Sequence, residues 1–233
     1  MRVLIVAASP YLQTAYGYLG RAIASTLALK HEVLFFGAKY LGITHGQSGY
    51  TVLSAAVDAR GNELSNGVQR VIKAIERYRP QVILTLGDLF FLDYLTRIRK
   101  RPIWIGYFPV ETDPFRLNEL HILEAMDYPV VPTKWGQKVL KERHGIDSVY
   151  IPHPLNPAFF KIPKARARQM LLGDRLKRVR KAFIFGYCGT NTRRKGLDRL
   201  LEAFKRAFQG NKNVLLWLNT PTFAPTGWDI PYL

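Results

Sequence analysis

The chain has 233 residues, of which 48% are hydrophobic and 12% aromatic, enough to fill one large core or two small ones and too apolar for a disordered chain. A single cysteine, Cys188, excludes a disulfide framework and a cysteine-based zinc site, and reads as a small buried apolar residue. The formal net charge of +17, from 34 Lys+Arg against 17 Asp+Glu, calls for an anionic partner: nucleic acid, an acidic membrane surface or a phosphorylated ligand.

The N-terminal run Val3 to Ala8 reads as a buried strand, because it passes straight into a polar turn as no signal peptide does. No segment reaches the ~18 apolar residues of a membrane span, so a cytoplasmic chain is expected. A helix is predicted from Gly17 to Lys30, with Leu19, Ile23 and Leu27 on one face. Strands follow at Glu32 to Phe36 and, shorter, at Thr51 to Ser54. Gly67 to Arg79 is a helix with Asn66 as its N-cap, and Gln81 to Leu86 a strand ending in the turn Gly87-Asp88. A helix is predicted from about Phe90 to Lys100, then a strand at Ile103 to Tyr107 and a helix at Leu117 to Ala125. Pro129 marks Tyr128 to Val131 as an edge strand or a strand start. Thr133 caps a helix from Lys134 to His144 that Gly145 ends, and Val149 to Ile151 is a last strand.

Strand and helix in alternation imply a parallel sheet covered on both faces, with ligands beyond the carboxyl ends of its strands. The three prolines of Pro152-His-Pro-Leu-Asn-Pro157 break the pattern and read as a hinge. A basic stretch follows, from Lys164 to Lys181, with Asp174 its only acid. It is either a solvated connector or a patch for an anion or a membrane. Alternation then restarts with a buried strand at Ala182 to Phe185, a helix carrying Leu197, Leu200, Leu201, Phe204 and Phe208 on one face, and a strand at Val214 to Leu218.

The turn between that strand and helix, Gly186 to Gly196, is rich in glycine and ends in Arg194 and Lys195. Glycines let backbone approach a ligand, a helix start offers free N–H groups, and two cations complete a place for phosphate or diphosphate. Gly17 and Gly20, after the first strand, suit either phosphate approach or simple turn chemistry. Tyr16 and Tyr18 beside them are candidates to stack on a sugar. Asp88, Glu111 and Asp113 each follow a buried strand, where such a sheet presents its chemistry. The histidines show no metal-ligating spacing, so no metal site is expected. No nucleophile elbow, Walker-type loop, helix-turn-helix or RNA-binding aromatic signature is present.

Several stretches resemble, in order, the retaining group-1 glycosyltransferases of the GT-B fold. They are Thr14 to Gly20, His31-Glu-Val33, Tyr107 to Pro114, Val130 to Gly136, Ile151 to Phe160, Gly189 to Gly196, Trp217 to Pro221 and Gly227 to Ile230. Each is weak alone, and their order carries the resemblance. Thr190 stands where the family has an arginine that contacts donor phosphate, and Asn219 where it has a histidine.

The resemblance implies an acceptor-side Rossmann-like domain over 1–157, a basic linker over 158–181 and part of a donor domain over 182–233. A full donor domain of the family continues with a Glu-x7-Glu segment, so the chain alone is expected to be a weak or inactive transferase. Implied as donor-binding are Arg194, Lys195, Asn191, Gly17 and Gly20. Implied as catalytic are Glu111 first, then Asp88 and Asp113. The partners are a nucleotide diphosphate sugar, an unknown acceptor (glycan, lipid or protein) and peripherally an anionic membrane, with no specific nucleic-acid binding and no cofactor. The rival expectation is a non-catalytic or split transferase half that docks on a partner subunit or an anionic surface.

Overall fold

The computed structural model describes residues 1–38, 45–47, 49–54, 67–113, 115–155, 161–173 and 181–232, the side chains of 45–47 and 232 excepted. The chain divides into two compact units, Met1–Asn156 and Pro157–Leu233. The N-cap expected at Asn66, residues 156–160 of the hinge motif and residues 174–180 of the basic stretch lie outside the described residues.

The first unit is built on β1 (Arg2–Ala8), β2 (Glu32–Ala38), β3 (His45–Gln47), β4 (Tyr50–Leu53), β5 (Val82–Leu86), β6 (Ile103–Tyr107), β7 (Tyr128–Val131) and β8 (Val149–Tyr150). They form one sheet in the order β3-β4-β2-β1-β5-β6-β7-β8. Only β3 runs antiparallel, against β4. Its helices are α1 (Ala15–Leu27), α2 (Val68–Tyr78), α3 (Asp93–Thr96), α4 (Leu117–Glu124) and α5 (Lys134–His144).

Both faces of the sheet are covered, which is why β1 and β2 read as continuous apolar runs. Successive residues point to opposite faces. Leu4 and Val6 enter one core with Phe36, Val71, Trp104, Ile122 and Leu140. Val3, Ile5 and Ala7 enter the other with Leu19, Ala24, Phe35 and Val52. In the first core the Trp104 Nε1 donates to Thr85 Oγ1 at 3.0 Å, so the largest buried side chain has its one polar group satisfied. Pro129 is the second residue of β7. Pairing with β8 begins only at Val130, which is how an inner strand accommodates it. Thr133 Oγ1 accepts from Gly136 N at 2.9 Å, and Gly145 follows α5 in the left-handed region, as expected.

The helix expected over Phe90 to Lys100 is a correction. A 3-10 turn, Leu89–Phe91, precedes the single turn of α3. Phe90 and Phe91 are about half exposed, with ring centroids 4.0 Å apart, and supply no buried helix face.

Asp127 ties two strands of this unit together. It accepts from Arg101 and, at 2.7 Å, from Trp104 N. Desolvation alone would raise its pKa, but the hydrogen bonds from Arg101 and the Trp104 backbone outweigh it and hold the carboxyl below its ordinary 3.8. A depressed folded pKa gives stability that is present above the unfolded value and lost as pH falls through the folded one. The melting temperature is therefore expected to fall more steeply below about pH 4 in the native chain than in Asp127→Asn. Parallel melting curves against pH would contradict this.

The second unit holds α6 (Lys164–Leu172), β9 (Phe183–Cys188), α7 (Leu197–Phe208) and β10 (Val214–Asn219), with β9 and β10 paired in parallel. The expected basic connector is in part this helix, which exposes Lys164, Arg166, Met170 and Leu171. The buried strand expected at Ala182 to Phe185 is a second correction. Ala182 is buried, but Phe183 is 64% and Phe185 41% exposed, because among the described residues a two-stranded sheet has no further layer over them. Phe185 meets Phe204 and Phe208 of α7 instead. Cys188, expected to be buried, is exposed for the same reason. Among the described residues no helix is long and apolar enough to cross a membrane.

Candidate functional site

From β1 the chain builds outward through β2 and β4, then crosses back to lay β5 on the other side of β1. This reversal opens a crevice beyond the carboxyl ends of β1 and β5, the place where open parallel sheets hold ligands. Asp88 sits there, two residues past β5, and is half-buried. It precedes the 3-10 turn at Leu89, yet its side chain does not cap that turn. Tyr16, in the first turn of α1, lines the same crevice.

Burial raises the Tyr16 pKa well above the ordinary tyrosine value, and the nearby carboxylates of Asp88 and Glu111 push it further, as does Tyr107. The hydroxyl therefore stays protonated at working pH. It is a donor beside Asp88, not a base.

Glu111 and Asp88 line a second, smaller recess between the ends of β5 and β6, with Thr112, Arg116 and Glu119. Two carboxylates thus share one recess, inside a chain whose net charge is +17. Asp113 is not brought to them: its carboxylate pairs with Arg143 at 3.6 Å, so the charge goes to α5. That expectation is corrected.

Gly17 and Gly20 are corrected as well. Both lie inside α1 and not in a loop. The Gly17 N–H is already taken by Thr14 Oγ1 at 3.1 Å. A Cβ at Gly17 would stand 2.4 Å from the Leu12 carbonyl oxygen, and one at Gly20 2.8 Å from the Phe35 ring. Gly17 thus serves the close approach of α1 to the loop after β1, and Gly20 its approach to Phe35 of β2 and Ala7 of β1.

His153, in the proline-rich segment, is tied to the same end of the sheet. Its Nδ1 lies 2.9 Å from the Tyr107 hydroxyl, which donates to the Ile151 carbonyl at 3.0 Å. With the tyrosine proton so used, Nδ1 is the donor to the tyrosine oxygen. Neither link was visible in sequence, because Tyr107 and His153 are 46 residues apart.

In the second unit, Arg193–Lys195 form a 3-10 turn, and Gly196 in the left-handed region separates it from α7. Arg193 lies over the Trp228 ring at 5.3 Å. Arg194 and Lys195 have no ion-pair partner among the described residues and remain available to an anion. Thr220 Oγ1 and Trp228 Nε1, at the same end of the unit, are buried without a hydrogen-bond partner among the described residues.

Asn191 is placed otherwise than expected. It is 2% exposed, and its amide is committed: Nδ2 donates to the Pro221 and Trp228 carbonyls at 3.0 and 2.7 Å, and Oδ1 accepts from Trp228 N at 3.0 Å. It staples the loop that carries Trp228 and has no group left for phosphate. Asn191→Ala breaks three buried bonds and is expected to cost about 2–4 kcal/mol. The measurement is protease resistance of the 181–232 region. Unchanged resistance would contradict the staple.

Among the described residues no three of His, Cys, Asp and Glu gather as metal ligands. The chemistry on offer is a pair of carboxylates in one unit and a pair of free cations in the other.

No family model and no curated protein matches the chain. Solved structures do. Anabaena HepE, in complex with UDP and glucose, is 14% identical with a TM-score of 0.57, over 94% of this chain and 60% of that one. A putative UDP-N-acetylglucosamine 2-epimerase from Listeria monocytogenes is 11% identical with a TM-score of 0.54, over 93% and 62%. Arabidopsis thaliana UGT89C1, complexed with quercetin, is 14% identical with a TM-score of 0.51, over 96% and 70%. The chain thus spans 60–70% of the length of these structures. At such identities the likeness is one of fold, and the fold of this chain is the GT-B type of Rossmann-like α/β structure.

Proposed function

We propose that the chain is a glycosyltransferase that moves a sugar from a nucleotide diphosphate sugar to a hydroxyl acceptor with retention, as the group-1 enzymes it resembles do. The observation that carries the reading is the recess shared by Asp88 and Glu111 beside the β1–β5 switch point, with Tyr16 in the adjoining crevice. In this reading Glu111 and Asp88 receive the acceptor hydroxyl. The acceptor oxygen bonds to the sugar anomeric carbon as the bond to the diphosphate breaks. The acceptor proton leaves with the diphosphate or with a carboxylate, and the carboxylates stabilise the oxocarbenium-like centre between the two events. In the second unit, Arg194 and Lys195 are the residues proposed to bind a diphosphate. The complex of HepE with UDP and glucose makes a uridine donor the first to test.

The experiment is incubation of the chain with a panel of nucleotide sugars and hydroxyl acceptors, read by proton NMR of the anomeric signals. The expected result is release of nucleotide diphosphate from one donor and a product of unchanged anomeric configuration. A nucleotide sugar epimerised at C2 with its nucleotide still attached would favour the other chemistry found on this fold, that of the 2-epimerase. An inverted product overturns the reading; a chain that binds nucleotide diphosphate and consumes no donor favours the rival, a non-catalytic or split transferase half.

A further inference from the structure

The crevice beside Asp88 is more selective than its carboxylate implies. It encloses about 290 Å³ beyond β1, β2 and β5, near the lower end of the roughly 300–1,000 Å³ typical of small-molecule sites. Its walls include Leu12, Phe36, Leu86, Phe91 and Leu92. Of its four polar side chains, Thr14 accepts from Gly17 N through Oγ1, Asp88 is engaged, and Tyr16 lies beside Asp88. The fourth is Tyr94. Burial raises its pKa well above the ordinary value, so it is a neutral donor. Its hydroxyl has no hydrogen-bond partner among the described residues.

Tyr94 is half-buried at the cavity wall, so its hydroxyl is a donor open to a ligand oxygen. A glycan ring would bury many hydroxyls against the aliphatic walls and leave most of them unpaired. An apolar ring system with one or two oxygens would gain from the same walls and satisfy Tyr94. Asp88, at the same cavity, is the acceptor for a ligand hydroxyl.

We propose that this cavity takes the apolar, ring-sized body of a hydroxyl-bearing acceptor, with Tyr94 bonded to a ligand oxygen and the reactive hydroxyl at Asp88. That the ligand is an acceptor rests on the transferase reading. That the cavity binds an apolar alcohol or phenol does not.

The test is calorimetric titration of the 233-residue chain, free of nucleotide, with 2-naphthol, naphthalene and maltose. The expected result is that 2-naphthol binds at least tenfold tighter than maltose. Ala38→Phe, which fills the cavity from the end of β2, is expected to weaken 2-naphthol at least tenfold. Tyr94→Phe is expected to weaken it several-fold and leave naphthalene unchanged. Maltose binding as tightly as 2-naphthol, or 2-naphthol binding untouched by either variant, overturns the proposal. If Ala38→Phe does not melt cooperatively, the comparison of the two aromatic ligands in Tyr94→Phe decides. Failure of the transferase reading shows separately, as absence of nucleotide diphosphate binding while 2-naphthol still binds.

Discussion

Arg194→Ala with Lys195→Ala is expected to weaken nucleotide diphosphate binding on the order of 100-fold, from two lost charge-assisted contacts of about 1.5 kcal/mol or more each. The geometry behind this is local. The two residues occupy a 3-10 turn after β9, their neighbour Arg193 is engaged with Trp228, and neither has an acidic partner among the described residues. Two unpaired cations before a helix also oppose its dipole, which favours an anion held there. Because the turn is exposed, the double variant is expected to melt as the native chain does. Equal affinity in variant and native chain, by calorimetry at fixed salt, would remove these residues from the site. Asn191→Ala distinguishes binding from folding: it is expected to loosen the unit first and lose nucleotide only as a consequence.

Glu111→Gln is the second large effect expected, a fall in kcat of about 10²–10⁴ with nucleotide diphosphate affinity unchanged. Asp88→Asn is expected to act in the same direction. Tyr16→Phe is expected to cost less, about tenfold, since it removes a hydroxyl donor of the crevice and leaves both carboxylates in place. Asp113→Asn is expected to leave turnover intact, since that carboxylate belongs to Arg143. The ordering Glu111 and Asp88 first, Tyr16 next and Asp113 last is checked by steady-state rates at saturating donor. A drop with Asp113→Asn as large as that with Glu111→Gln would break the assignment.

The parallel sheet was legible because strands buried on both faces leave unbroken apolar runs, and β1, β2 and β5 are such runs. Caps were legible where the chemistry is local, as at Thr133 and Gly145. Burial in the second unit was not. Periodicity tells which residues are apolar, but not whether a layer covers them, and Phe183 and Phe185 have none among the described residues. The helix expected from about Phe90 to Lys100 shortens to the single turn of α3, and Phe90 and Phe91 before it are half exposed.

In the site, Asp88 and Glu111 stood out as acids beyond strand ends. Which acids converge was decided by residues far along the chain. Arg143 draws Asp113 away, and Pro221 and Trp228, 30 and 37 residues from Asn191, consume its amide. Gly17 and Gly20 looked like a phosphate loop because glycine serves close packing and ligand approach alike. Only the Leu12 carbonyl and the Phe35 ring show which need is met.

The most direct test of the central claim is the melting shift of the 233-residue chain with a panel of nucleotide diphosphates and nucleotide sugars, since binding to the folded state raises the midpoint by mass action. The account predicts a shift with one nucleotide, UDP first, that disappears in Arg194→Ala plus Lys195→Ala and survives in Glu111→Gln. A chain that melts cooperatively with no shift for any member of the panel would contradict it.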